Sequence, residues 1–460
     1  MIDIKDILKA TKGKLIRGNE NIKVKGVSID SRSIKKDYLF IPIIGERFDG
    51  HSFIEGAFKA GAIAALTSRE IEINGNSDIC LIMVDDTLKA LQDMGKYFLK
   101  QANIPVVAVT GSTGKTTSKE MIYNVLSQKY NVLKNEGNFN NHIGLPLTLM
   151  KIGKEHEILV LEMGMSNRGE IDLLCKIADP QVGVITNIGL CHIENLGSKE
   201  EIFNAKMEIS NYMDKTQLLI LNGDDEYLEK VKYKNTKYKK VFTGLENGND
   251  IFASNIKKLG NEGVEFTIEY DNKTYNIRLN VPGVHNVNNA LLAIATGIYY
   301  GIPFEKIKEG LGDFKGNKMR LNIINTHEKI KIINDCYNAN PDSMKAALYV
   351  LEDMESKRKI AVLGDMLELG NYSRRAHEKV GELVSKKNID LLITVGPEAK
   401  NIVKGAIESG FPKENTFVLG DNMTAINLLS YIKESGDVIL IKASRSMKME
   451  EIVQYLQERR

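Results

Sequence analysis

The stretch IPVVAVTGSTGKTTSKEMI, residues 104–122, limits the possible folds more than any other part of the chain. Its first half is apolar without alternation, which predicts a buried strand. Beyond the glycines, Met121, Ile122, Val125 and Leu126 fall on one face of a helix. Between strand and helix, Gly111, Ser112, Thr113, Gly114, Lys115, Thr116 and Thr117 have the make-up of a loop that grips phosphate. The full pattern is Gly, four residues, then Gly-Lys-Ser/Thr. Here Val109 stands at the first glycine position, and Gly111 comes two residues later. The chemistry survives the change. Gly111 and Gly114 let backbone N–H groups turn toward an anion, and the helix N-terminus adds partial positive charge. Lys115 can reach terminal phosphates, and the Thr116 hydroxyl can ligate Mg²⁺. A Gly-rich turn without a ligand is the plain alternative; the flanking strand, the helix and the Thr pair favour a nucleotide.

At 460 residues the chain is too long for a single core. Three regions separate. Residues 1–102 mix short strands with one helix-to-strand unit, HSFIEGAFKAGAIAALTS. Residues 103–316 repeat strand, Gly-rich turn and helix, with EILVLEMG and VGVITNIG as further strands. The stretch LGDFKGNKMR marks the second boundary. Residues 317–460 continue with KIAVLGDM, DLLITVGP, NTFVLGDN and DVILIKAS between helical stretches. Such alternation predicts an α/β protein with parallel sheets flanked by helices.

The net charge of +2 argues against a general nucleic-acid binder, which shows a basic excess. The four cysteines, Cys80, Cys175, Cys191 and Cys336, are far apart and include no Cys-x-x-Cys, which fits a reduced compartment. The start MIDIKDILKATKGKL lacks an apolar signal core, and no apolar run reaches the roughly 18 residues that span a bilayer. The expectation is a soluble, cytoplasmic protein that neither crosses a membrane nor binds nucleic acid.

In a doubly wound sheet, ligands bind along the edge where the parallel strands end. Glu162 closes EILVLE, and Asn187 and His192 follow VGVIT, so all three belong on the edge that carries the phosphate loop. Glu162 is a hard oxygen donor of the kind Mg²⁺ prefers. In GSKEEIFNAKMEISNYM, Ser198 and Glu201 have capping-box spacing, and Ile202, Phe203, Ile209 and Met213 form an apolar stripe. Lys206 falls on that stripe. Either its stem packs while the amine reaches water, or the amine is desolvated and its pKa lowered. A neutral amine can add CO₂ to give an anionic carbamate.

TGSTGKTTSKEMI, GNFNNHIGLPLTL, LEMGMSNRGEI, VITNIGLCHIENLGSKEEI, PGVHNVNNALLA, DCYNANPDSM, AVLGDMLELG and KASRSMKMEEIV together resemble the cytoplasmic Mur ligases over essentially the whole chain. That family's phosphate loop also lacks the first glycine. The resemblance implies three domains: a smaller N-terminal α/β domain, a central parallel-sheet ATPase domain and a C-terminal Rossmann-like domain. It implies ATP- and Mg²⁺-dependent amide synthesis through an acyl phosphate in peptidoglycan precursor formation. The resemblance further implies UDP-N-acetylmuramoyl-tripeptide and D-alanyl-D-alanine as substrates, and a monomer. By resemblance, Lys115 and Thr116 serve phosphate and metal, Glu162 and His192 are the metal-linked acid and histidine, and Lys206 is the lysine that becomes carbamylated. Asn288 and Asn289 match an adenine-side contact, and Arg320 and Asp335 match residues that close over ATP. Asn338, Asn340 and Pro341 belong to the YNANP signature near the same cleft. Ser31, Arg32, Asp49, Gly50 and His51 fall where relatives bind the uridine nucleotide, and Ser444 and Arg445 near the incoming substrate.

Taken singly, many of these residues have plainer roles. Asp335 and Asn338 suit turns, Arg320 a surface ion pair, Asn288 and Asn289 a helix cap, and Ser31 and Arg32 a strand end. Two departures stand out. Cys336 replaces a commoner Ser or Asp, and KASR replaces KGSR; neither is expected to matter much. A sibling that adds the third peptide residue would carry Asp-Asn-Pro-Arg, which is absent. A phosphate-loop regulator without ligation is the rival from another class.

Overall fold

The computed structural model describes residues 1–72 and 79–458. The chain forms two compact units. The first comprises Met1–Ala108, Tyr130–Met165 and Gly169–Gln181; the second comprises Val109–Lys129, Ser166–Arg168 and Val182–Arg460. The chain passes from one to the other inside the apolar strand Val106–Thr110. Among the described residues, no helix is long and apolar enough to cross a membrane.

In the first unit a five-stranded sheet contains the parallel run Gly26–Ser28, Tyr38–Phe40, Ala62–Thr67 and Cys80–Met83, with Lys14–Arg17 antiparallel at one edge. The helix-to-strand unit read from the sequence is Ile54–Lys59 followed by Ala62–Thr67. The strand Ile158–Glu162 is buried along its whole length and pairs in parallel with Val132–Lys134.

In the second unit, Val182–Ile185, Leu218–Asn222, Lys239–Gly244 and Ile251–Lys258 run parallel in that order. Two antiparallel strands, Val264–Tyr270 and Lys273–Leu279, then extend the sheet. The repeated strand–turn–helix reading does not contain this hairpin. VEFTIEY and KTYNIRL alternate in the manner of antiparallel strands with one wet face. A second sheet of six strands holds Arg358–Gly364, Leu391–Val395, Thr416–Leu419 and Asp437–Lys442, all expected, with Lys331–Asp335 parallel and Asn322–Asn325 antiparallel. The α/β class with mostly parallel strands is thus borne out.

The helix Lys115–Leu126 buries Met121, Ile122, Val125 and Leu126 completely, the face its spacing implies. The helix Lys199–Met207 is shorter than its sequence pattern and continues as a 3₁₀ turn, Glu208–Ser210. Its capping box is half made. Ser198 Oγ accepts the Glu201 N–H at 3.2 Å, but the Glu201 carboxylate turns outward to Arg168 at 2.9 Å. A charged partner outside the helix has won over the cap.

Asp225 ties the end of one strand to the next. Its carboxylate caps Glu226–Glu229 by accepting N–H bonds from Tyr227 (2.9 Å) and Leu228 (3.1 Å), and also accepts Ile188 N–H at 2.8 Å. Loss of this carboxylate strands three donors. Asp225→Ala should destabilise the fold by about 2 kcal/mol, and Asp225→Asn by about half as much. Urea unfolding followed by circular dichroism checks the order of the two midpoints.

Candidate active site

The phosphate loop is shaped by its neighbours more than by its own residues. Val109, at the missing glycine position, is a fully buried strand residue. The turn begins only at Gly111, with φ +148°, where a Cβ would sit 1.8 Å from Thr186 Oγ1. At Gly114, φ is +79° and a Cβ would meet Asn289 Oδ1 at 2.5 Å. Both positions exclude side chains by close approach as well as by backbone conformation.

The segment after Val182–Ile185 straps the loop in place. Thr186 N–H donates to Thr110 O at 3.0 Å, and Thr186 Oγ1 to Thr113 O at 2.5 Å. Asn187 accepts Thr113 N–H on Oδ1 (2.9 Å), donates from Nδ2 to Thr113 Oγ1 (2.6 Å), and takes Ser112 N–H on its carbonyl (3.0 Å). Ser112 Oγ accepts Gly189 N–H at 2.8 Å. Lys115 folds back, its Nζ 2.8 Å from Gly111 O. Thr116 and Thr117 lie in the first turn of the following helix. Asn289 does not face outward. It accepts Ser118 Oγ at 3.1 Å and donates to Asn286 at 3.1 Å, bracing the loop helix. Asn288 keeps a buried Oδ1 with no hydrogen-bond partner.

Lys115, His192 and Lys206 all lie within electrostatic reach of Cys191. Lys206 is only 1% exposed. Burial, reinforced by the Lys115 charge, lowers its pKa to about 7 despite the opposing pull of Cys191. The snorkelling alternative therefore fails, because the amine is buried with its stem. For His192, burial works against the charged form but is outweighed by Cys191 and Glu368, which raise its pKa to about 9. Burial likewise opposes a Cys191 thiolate, yet His192, Lys115 and Lys206 bring its pKa down to about 7. His192 Nδ1 lies 2.6 Å from Glu368 Oε2, an ion-pair contact outside hydrogen-bond geometry.

Glu162 belongs to the first unit. Asn140 Nδ2 donates to its Oε1 at 3.0 Å, and Asn135 brackets its backbone with two bonds of 2.9 Å. In the same unit, Asp49 accepts His51 N–H (2.9 Å) and contacts His51 Nδ1 (2.7 Å), while Arg69 pairs with its other oxygen at 2.8 Å. His51 Nε2 accepts Ser68 N–H at 3.0 Å. Gly50 is packed so tightly that a Cβ would fall 2.6 Å from Ile43 N. Arg32 is largely exposed and grips Asp30 with two bonds of 2.9 and 2.8 Å; this drops the Asp30 pKa to about 2. Ser31 opens the same 3₁₀ turn.

In the last third, Asp335 Oδ1 accepts Leu321 N–H at 3.1 Å and its Oδ2 pairs with buried Lys442 at 2.5 Å. Lys442 also donates to Asn338 O at 3.0 Å. Asn338 Oδ1 takes Ala339 N–H. Asn340 caps Pro341–Asp353 in a full capping box with Ser343. The Arg320 guanidinium lies 4.0 Å above the Tyr337 ring. Ser444 Oγ accepts Leu367 N–H at 2.9 Å, and Arg445 pairs with Glu450 at 2.5 Å. Cys336 is buried, and this pushes its thiol pKa up to about 12.

Sequence reasoning gave no role to Cys191, Glu368, Asn140 or Lys442. The adjacency of Cys191 and His192 was a readable signal; the other three come together only through the fold.

Residues 23–111 match the Mur ligase family catalytic domain, 109–297 the Mur ligase middle domain, and 319–445 the Mur ligase glutamate ligase domain. The UDP-N-acetylmuramoyl-tripeptide–D-alanyl-D-alanine ligase of Bacillus subtilis is 43% identical over 457 residues, 99% of this chain and 98% of the relative. That of Escherichia coli is 34% identical over 440 residues, 95% of each chain. The fold is similar to crystal structure I of MurF from Acinetobacter baumannii, with a TM-score of 0.91 and 31% identity over 100% of this chain and 99% of that one. It is also similar to MurF ligase from Thermotoga maritima in complex with ADP, with a TM-score of 0.82 and 29% identity over 95% and 97% of the two chains. By sequence along its whole length and by fold, the chain belongs to the Mur ligase family.

Proposed function

We propose that this protein joins D-alanyl-D-alanine to UDP-N-acetylmuramoyl-tripeptide with ATP, giving the UDP-linked pentapeptide, ADP and phosphate. One observation carries the reading: 43% identity over 99% of the chain to a ligase of that name. A carboxylate is a poor acyl donor because oxide is a poor leaving group. Transfer of the ATP γ-phosphoryl group to the tripeptide carboxylate releases ADP and makes an acyl phosphate. The neutral amine of the dipeptide attacks the carbonyl carbon, loses a proton, and the tetrahedral intermediate expels phosphate. That phosphate leaves with one oxygen of the original carboxylate.

Negative charge crowds both steps, so fixed positive charge and N–H donors are the main catalytic resource. Lys115 must leave its loop carbonyl to meet the terminal phosphates. Asn288 Oδ1, which lacks a partner, is an acceptor for the adenine amino group. Arg320, held over Tyr337, is the cation that reaches ATP from the last third. Mg²⁺ belongs to this proposal: hard oxygen donors suit it, Thr116 offers one beside the loop, and the bound ion would offset phosphate charge. Nitrogen donors fit Mg²⁺ poorly, so Lys206 qualifies only as a carbamate. Nucleotide-linked substrates and ATP place the reaction in the cytoplasm.

With isotopic oxygen in the tripeptide carboxylate, the label should appear in released phosphate only when both substrates and ATP are present. Unlabelled phosphate would sink the acyl-phosphate route. Lys115→Ala should lower kcat by about 10²–10³-fold, as loss of a charge-stabilising donor does elsewhere.

Lys206→Ala should cripple turnover, and short carboxylic acids should restore part of it by replacing the carbamate. The pH dependence follows from the lowered pKa of about 7. The neutral amine that adds CO₂ dominates above that value and falls to about a tenth at pH 6. Reactivation of CO₂-depleted enzyme by bicarbonate, compared at matched dissolved CO₂, should slow accordingly as pH drops from 8 to 6.

A further inference from the structure

Glu368 has no part in the scheme above, yet it closes on His192, whose neighbour Cys191 feels the charges of Lys115 and Lys206. Its Oε2 lies 2.6 Å from His192 Nδ1. Its backbone carbonyl accepts Glu194 N–H at 3.4 Å. Two residues on, the Gly370 backbone packs on Glu194, where a Cβ would be 3.2 Å from Cγ, and Tyr372 OH donates to Gly197 O at 3.4 Å. The loop of residues 366–372 thus lies along residues 192–197, with the carboxylate at the histidine end.

The backbone supplies a second, independent observation. His192 has φ +60° and Glu368 has φ +62°. Left-handed conformation is uncommon for residues other than glycine, and unusual backbone of this kind persists only where surrounding structure enforces it. Here both members of one ion pair adopt it. A pair that only joined two surfaces would not require it of either.

We infer that Glu368 is a positioning residue for His192: it fixes the imidazole next to Cys191, and it does so only while the 366–372 loop lies on the helical turn of residues 192–197. The inference rests on the ligase reading. It makes the last α/β region a contributor to the chemistry at the phosphate loop, beyond any contact it makes with substrate. Glu368 acts through the histidine and touches no reacting atom.

Glu368→Gln keeps the shape and removes the charge. The expected result is a kcat lower by about tenfold or more, since misplacing a reacting group is costly, with KM for ATP, tripeptide and dipeptide within about twofold. Glu368→Asp should recover part of the loss. In histidine-labelled protein without substrates, the ring signal of His192, identified by its absence in His192→Gln, should move in Glu368→Gln. A kcat within about twofold of wild type, a change confined to KM, or an unmoved His192 signal overturns the positioning role alone. Wild-type protein that releases no phosphate in response to the dipeptide overturns the ligase reading, and this inference with it.

Discussion

The arrangement depends on two backbone positions where no side chain fits. At Gly111 and Gly114 the chain passes so close to Thr186 and Asn289 that even a methyl group would collide. The loop is therefore a mould formed by the end of a neighbouring strand on one side and a helix on the other. Thr186 and Asn187 tie its backbone, and Asn289 holds Ser118 in the helix that follows. This explains why the first glycine of the usual pattern is dispensable. At Val109 the chain is still a buried strand and no turn has begun. Only the residues that meet foreign side chains need to be glycine.

Once the loop is fixed, charge follows from burial. Lys206 has almost no access to water and feels the charge of Lys115, and two ammonium groups cannot share such surroundings cheaply. The more buried one gives up its proton near neutral pH. Cys191 and His192 respond in the opposite sense, each favouring the charged form of the other. The ionisation of Lys206, Cys191 and His192 is thus set by their neighbours as much as by each group itself.

How much of this could be read from the sequence depends on how local each cause is. The strand, turn and helix around residues 104–126 follow from periodicity and glycine placement, both local. The stripe that buries Lys206 is local too, so its desolvation was open to inference before the fold was known. The antiparallel pair Val264–Tyr270 and Lys273–Leu279 is legible in its alternation, but it breaks the strand–turn–helix repeat that the surrounding region follows. Glu201 shows the limit of short-range rules, because Arg168 draws off the carboxylate that the capping pattern assigns to the helix end. The approach of Glu368 to His192 joins positions 176 residues apart, so no spacing rule reaches it.

The signature DCYNANPDSM shows how one short motif can hold a distant turn in place. Arg320 sits between Met319 and Leu321, both left-handed, at φ +60° and +47°. Such backbone costs about 1–3 kcal/mol per residue. The turn is held by Tyr337 N–H on Met319 O, by the Asp335 carboxylate on Leu321 N–H, and by the stacking of Arg320 on the Tyr337 ring. Asp335 is itself fixed by Lys442, which also binds Asn338 O, while Asn340 starts the next helix. The strain is offset by groups that the motif places within six residues of one another. An arginine on a relaxed turn would sample many directions and lose that freedom on meeting any ligand. Here the folded chain has already fixed the direction, so the ordering cost falls on folding and would be absent from any binding that Arg320 makes.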